Sequence, residues 1–476
     1  MNVHHATIAR KKSAARRVLG WIGWAALALF VALGVLLAAA FAYYRQRGPT
    51  EEQRAALELM RKDWRPTQGV NAFPALFYLH HDVPAERLQA QLAADVERVR
   101  KQHPEMDAPV TLEKDADAPA PPPPTLTTDA PPLPELTEAQ QDTLCGRSSV
   151  GCLAHVAAQT DAVRAVLAAH PVSAARAQDF ERADFLWNPG DINLHVPIME
   201  NYMNARQLWL SAFALRYVEG DRLGALAATC RHLAAWRRMA PNSNWALGAV
   251  FASAGVRGAS WLYAEMLADL PIDTAVPEDC AQALQPVTAA DVNRCAVLAG
   301  EFATLDAGMF RQLERQVSEG KISRSAPLLD LAQTEAQVAR FFAASCDGDA
   351  IARLLADELP RQEPTPLGAR NPQCVANVAG CMTAGLVAGL KSARFDAYTL
   401  QYAAHLRLAA TVQWLREHSS EGTIAELFER RPAELRSPRH VSGFDAARGV
   451  IYVDELAKPG DKDKPGRFAL PVARAR

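Results

Sequence analysis

Neither sign of charge prevails in this chain, where 51 Lys and Arg stand against 53 Asp and Glu over 476 residues. A strongly basic nucleic-acid binder is thereby excluded, and no nucleic-acid partner is expected. Aromatic residues are scarce at 7%, and Ala and Leu outnumber the β-branched residues, so helices are the favoured way to bury apolar surface. No Cys-x-x-Cys pair, His-Glu-x-x-His helix, Gly-x-Ser-x-Gly elbow or phosphate-cradling glycine loop occurs. The zinc, hydrolase and nucleotide families that depend on those spacings are therefore not supported, and no cofactor is expected. With 49% hydrophobic residues the chain can still bury a large core.

Charge is absent in one further place, the run Val18 to Tyr44 between Arg17 and Arg45. At about 1.5 Å per residue this run reaches roughly 40 Å as a helix, enough for a hydrocarbon core of about 30 Å. Trp21 and Trp24 lie near one end and Tyr43 and Tyr44 at the other, where amphipathic rings prefer the headgroup level. Arg10, Lys11, Lys12, Arg16 and Arg17 precede the run, against Arg45, Arg47 and Arg54 after it. That bias places the amino end in the cytoplasm and the rest outside. Ala40-Phe41-Ala42 offers a cleavage site of signal-peptide type, but the apolar run is much longer than the roughly 7–15 residues usual there.

All eight cysteines follow this run, and an even number in an oxidising compartment reads as disulfides. Cys145 and Cys152 enclose a flexible stretch bounded by Gly146 and Gly151 and can close as a clip. Cys374 and Cys381 share that spacing, yet on an unbroken helix their Cα atoms would stand about 10 Å apart, beyond the roughly 7 Å a disulfide tolerates. That pair therefore requires a bend or other partners. Cys280 with Cys295, across Pro286, is sterically reasonable and leaves Cys230 for Cys346.

The expected organisation is a cytoplasmic tail at 1–17, a transmembrane helix at 18–44, a membrane-proximal helical segment at 45–103 and a Pro-rich linker at 104–136. An α-helical periplasmic domain at 137–430 and a small β element at 431–476 follow. Ten prolines between Pro104 and Leu136 rule out a helix there and favour an extended, solvated spacer. Tyr202, Ala205, Trp209, Phe213 and Tyr217 form one helical stripe, with Gly220 as stop and Asp221 as the next amino cap. Asp347 reads as a helix cap, and separate helices are expected at 373–390 and 395–418. Val441–Phe444, Gly449–Val453 and Phe468–Val472 read as an antiparallel meander. The fold class is thus mainly α, with one transmembrane helix, a Pro-rich linker, a multi-helix domain and a small antiparallel β element at the carboxyl end.

The pieces Asn71-Ala-Phe-Pro-Ala-Leu, Asn371-Pro and Pro438-Arg-His-Val-Ser-Gly-Phe-Asp-Ala-Ala-Arg-Gly-Val-Ile-Tyr resemble segments of uncharacterised single-span bacterial envelope proteins. The resemblance implies membrane placement and carries no activity.

Candidate chemistry is sparse. His80, His81 and Asp82 have the ligand types for zinc or iron, but adjacent histidines point apart, so one would need a distant helper such as His103 or His155. Glu200, Glu265 and Glu301 fall in helical segments beside aromatics. In an apolar pocket, one of these carboxyls could act as a general acid of a wall-polymer hydrolase, while the plainer role is a solvated helix face. Trp187, Trp209, Trp236, Trp245 and Trp261 could stack on sugars, although tryptophan at helical spacing is more often core. The expected role is a membrane-anchored structural or interaction protein of the envelope, in contact with the bilayer and with envelope proteins, and the alternative is an enzyme acting on wall polymer.

Overall fold

The computed structural model of the chain describes residues 3–102, 126–146, 150–189, 198–310, 329–359, 372–456 and 466–472. The protein is mainly helical, with a three-stranded antiparallel sheet near its carboxyl end. Its first helix, Val3–Arg47, contains the stretch Trp21–Arg47, which is long and apolar enough to cross a membrane and has no buried residue in its most apolar window. Trp21 is 78% exposed and Phe30 75%, so the rest of the chain leaves these large apolar side chains uncovered.

Caps written in the sequence start the helices of the body. Thr50 and Gln53 form a capping box before Glu51–Arg61, as do Thr423 and Glu426 before Ile424–Arg430. Gly220, at φ 105°, ends Ile198–Val218, and the Asp221 carboxylate accepts from the Gly224 amide at 3.1 Å to open Arg222–Met239. Asp347 caps Gly348–Leu355 in the same way, accepting from the Ala350 amide at 2.6 Å.

The main core forms where these helices meet. Phe180 lies 4.9 Å from Trp209 and 5.1 Å from Trp236, and Tyr202 lies 4.5 Å from Phe251. Trp209 and Trp236 are fully buried and Trp261 nearly so, which gives them core roles and removes them as sugar platforms. The Trp209 indole N–H donates to the Ser173 carbonyl at 2.8 Å and that of Trp236 to His232 Nε2 at 2.9 Å. Gly255 lets the Ala246–Asp269 helix approach, because a Cβ there would stand 2.5 Å from the Trp236 ring.

Four expectations need correction. The segment 45–103 is not separate, since Phe73 to Leu79, Leu92 and Val96 belong to the same core as Trp209 and Trp236. The last third of the expected linker is not solvated spacer. Leu126 and Leu136 are buried, and the Asp82 amide donates to the Pro131 carbonyl and the Leu133 amide to that of His80, both at 2.8 Å. Residues 104–125 of that linker lie outside the described residues. The helices expected at 373–390 and 395–418 are one, Val378–Glu417, since no proline between them ends the first.

The fourth concerns the disulfides. Cys145 pairs with Cys152 and Cys374 with Cys381, at Cα separations of 4.8 and 5.7 Å. The second pair obtains its bend from a 3-10 turn, Pro372–Val375, ahead of the long helix. Cys230 pairs with Cys280 and Cys295 with Cys346, at 4.8 and 5.3 Å, in place of the expected Cys280–Cys295 and Cys230–Cys346. The short helix Glu278–Ala283 folds back on Arg222–Met239, which presents Cys280 to Cys230, and Cys295 is left to open the next helix beside the end of Leu331–Ala343.

The sheet runs β1 (Ser442–Asp445), β2 (Val450–Asp454), β3 (Arg467–Pro471), with Phe444 opposite Ile451 and Val453 opposite Phe468. Gly449, at φ 62°, supplies the first turn. Ile451, Val453, Phe468 and Leu470 are buried, and Phe468 lies 4.1 Å from His405 and 6.0 Å from Trp261. The element is thus sealed onto the helices rather than hung from them.

Candidate functional site

A cleft of about 640 Å3 opens where the end of Glu51–Arg61, the strand-like segment around Trp187, the turn at Asn244 and the helices Cys295–Leu305 and Leu331–Ala343 converge. Side chains hold its walls in place. Asn71 Oδ1 accepts from the Trp187 amide, and its Nδ2 donates to the Trp187 carbonyl, both at 2.8 Å. Asn244 does the same for Asn188, with both bonds at 2.8 Å. Gly300 permits the closest approach, since a Cβ there would fall 1.9 Å from the Asn244 carbonyl oxygen. Phe302, Phe310 and Met60 are buried in the hydrophobic cluster beneath.

Three half-buried tryptophans, Trp64, Trp187 and Trp245, line this cleft. Trp64 is held by its indole N–H, which donates to the Leu59 carbonyl at 3.1 Å, and Lys62 Nζ lies 4.6 Å from its ring centre. Opposite them stand Asp306, Glu335 and Arg61. Arg61 is ion-paired with Glu335 and lies 3.9 Å from Asp306, and the two carboxyl side chains have 12% and 14% of their surface exposed. Burial first, and then the neighbouring Asp306, push the Glu335 carboxyl above its usual range, and Arg61 opposes both. Asp306 opens a π-wound turn, Asp306–Phe310, that follows Cys295–Leu305, a local widening that recurs at functional sites.

The carboxylates singled out from sequence do other work. Glu265 accepts from the Gly151 and Leu153 amides at 2.5 and 2.9 Å, at the amino end of Cys152–Ala158, where Gly151 has no capping side chain of its own. Its pKa is raised by burial and pulled back by those amides, which is the balance of a helix cap rather than a general acid. Glu301 accepts from the Ala246 amide at 3.0 Å and so helps to open Ala246–Asp269. Glu200 lies on Ile198–Val218, and its side chain lies outside the described residues.

His80, His81 and Asp82 are not gathered either. His80 lies in the turn after Phe73–Phe77, where the His81 amide donates to the Tyr78 carbonyl at 3.1 Å, and His81 forms an isolated bridge with Pro132. Burial, then the neighbouring His80, lower the His81 pKa, and the His155 ring is engaged with the Thr143 carbonyl at 3.0 Å. Among the described residues no group of three or more His, Cys, Asp or Glu side chains could hold a metal ion.

A second polar cluster sits deep under the sheet. Asp357 is 1% exposed, and its Oδ2 accepts from the Arg439 amide at 2.8 Å and lies 3.1 Å from His440 Nδ1. Arg407 stands 3.7 Å from its other oxygen. Alongside, His405 lies 3.7 Å from Glu455, which pairs with Arg257 at 2.6 Å. Burial, Arg257 and His440 hold the His405 pKa well below its ordinary 6.5. No cleft reaches this cluster among those described, and its groups connect the sheet to the long helix.

Sequence reasoning named Trp187 and Trp245 but missed Arg61, Trp64, Asp306 and Glu335. These four come from ordinary helical stretches and their ends, at no diagnostic spacing, and only folding brings them together. Comparisons with known protein families, curated proteins and solved structures found no match.

Proposed function

We propose that this chain is a single-span membrane protein of the bacterial envelope, with its amino end in the cytoplasm and a disulfide-braced body in the periplasm, and that it works there by binding. The observation that carries this reading is the helix Trp21–Arg47, whose most apolar window is left uncovered by the body while its carboxyl end meets the Pro372–Val375 turn, and an uncovered apolar surface of that length asks for lipid as its solvent. Four disulfides support an oxidising compartment. The excess of Arg and Lys before the helix supports the orientation, and the resemblance to single-span envelope proteins supports the membrane placement. Tethering confines the body near the bilayer and raises its effective concentration for envelope partners without any reaction.

The test is a topology measurement paired with crosslinking in intact cells. A reporter at the carboxyl end should be periplasmic, and a reproducible set of envelope proteins should be recovered. A cytosolic reporter would refute the placement. A second reading, an enzyme acting on wall polymer, is favoured by one observation, the Asp306 and Glu335 pair beside tryptophans. Under that reading the purified protein should cleave wall polymer and lose this turnover when either carboxylate is substituted, whereas a protein that only binds shows no turnover.

A further inference from the structure

We propose that the cleft between Trp64, Trp187, Trp245 and the Asp306–Glu335 pair is a saccharide-binding site that takes an uncharged pyranose chain. This deepens the binding role proposed above but rests on the cleft's own chemistry. A pyranose ring has flat apolar faces and a rim of hydroxyl donors, and the cleft presents the complement of both. Half-buried indoles offer broad faces for stacking. Asp306 and Glu335 contact each other and Arg61, and their remaining oxygens can accept from hydroxyl donors.

The remaining polar groups narrow the choice. Asn244 spends its side-chain amide on the backbone of Asn188, Oδ1 accepting from the Asn188 N–H and Nδ2 donating to the Asn188 carbonyl, so little of these groups is left to read a peptide backbone. An anion would meet two carboxylates, while a cation would meet Arg61, which lies between them. A donor-rich ligand without charge suits these walls best. The volume of about 640 Å3 falls within the roughly 300–1,000 Å3 typical of ligand clefts, which leaves room for a short saccharide segment.

The test uses the full chain in lipid nanodiscs, free of sugar-based detergent, titrated with a β-1,4-linked N-acetylglucosamine tetrasaccharide and with a glucose tetrasaccharide. Tryptophan fluorescence and calorimetry should report saturable binding to at least one of them. Trp64→Ala and Trp187→Ala should each weaken it about ten-fold or more, while Trp21→Ala in the membrane helix leaves it unchanged. If either cleft variant melts early, Ala303→Trp, at an exposed lining position of Cys295–Leu305, fills the cleft without touching the core and should abolish binding. No saturable signal with either probe up to about 10 mM, or binding indifferent to all three cleft variants, overturns the proposal. A cytosolic carboxyl-terminal reporter would refute the membrane reading and leave the cleft chemistry standing.

Discussion

Asp357→Ala should destabilise the body more than any surface charge removal. Asp357 has φ 62°, in the left-handed region, and ends the helix Gly348–Leu355. Its amide bonds to the Leu354 carbonyl and the next amide to that of Arg353, at 3.1 and 2.7 Å. Its carboxylate serves the Arg439 amide, His440 and Arg407, the last 4% exposed. Removing it leaves Arg407 buried without its countercharge, a loss of about 3–5 kcal/mol. The left-handed residue adds about 1–2 kcal/mol once Asp is replaced by Ala. Asp357→Asn keeps a side chain that tolerates this backbone and loses mainly the charge, so it should fall between the two. Urea unfolding of the full chain in nanodiscs, followed by far-ultraviolet circular dichroism, measures both. A loss below about 1 kcal/mol for Asp357→Ala would refute the reasoning, because surface pairs are worth that much.

Stability should also depend on pH through two buried histidines. His232 is pushed down to about 3 by burial, and His405, facing Arg257, Glu455 and His440, is held well below 6.5. Both fold neutral, so stability is complete above about 6.5 and falls as acid protonates the unfolded chain first, by about 2 kcal/mol per histidine at pH 5. Unfolding midpoints that stay flat from pH 7.5 to 5 in the wild type, or that keep their full acid slope in His405→Phe, would contradict this. Among the disulfides, Cys230–Cys280 closes a separation of 50 residues and Cys374–Cys381 one of 7. Removing the first with Cys230→Ser and Cys280→Ser should cost about 4 kcal/mol and the second about 2, and equal losses in melting experiments would argue against that ranking. Gly300→Ala forces a Cβ against the Asn244 carbonyl and should cost about 1–3 kcal/mol. Loss of tetrasaccharide binding should accompany it, and unaltered melting would show that the contact yields easily.

Local chemistry was readable where a residue acts on its own neighbours. The stop at Gly220, the caps at Asp221 and Asp347, the three-strand meander and the apolar helix all follow from short-range pattern, and the structure contains each of them. What sequence missed depends on which surfaces meet. Cys230 and Cys295 choose partners according to how Glu278–Ala283 folds back, information held in packing rather than spacing. Proline content marked 126–136 as unable to form a helix, yet an extended segment can still pair with His80 and Asp82 and bury Leu126. The cleft was the least legible part, because Asp306 and Glu335 look like any helical carboxylates until Arg61 arrives from a distant helix. Glu265 was conspicuous for the opposite reason, since a carboxylate among aromatics reads alike whether it faces a substrate or the amide end of a neighbouring helix.

The link between the apolar helix and the first helix of the body runs only from Arg47 to Glu51, a leash of at most about 14 Å even when fully extended. Glu51–Arg61 is itself fastened to the body through the Glu52 to Arg340 pair at 3.1 Å and the Gln53 to Gln373 bond at 3.1 Å. Under the proposed anchoring in a lipid sheet, a body so held could not roam the compartment. It would search in two dimensions, within a layer little thicker than itself, and the mouth that begins at Arg61 would stay within that layer.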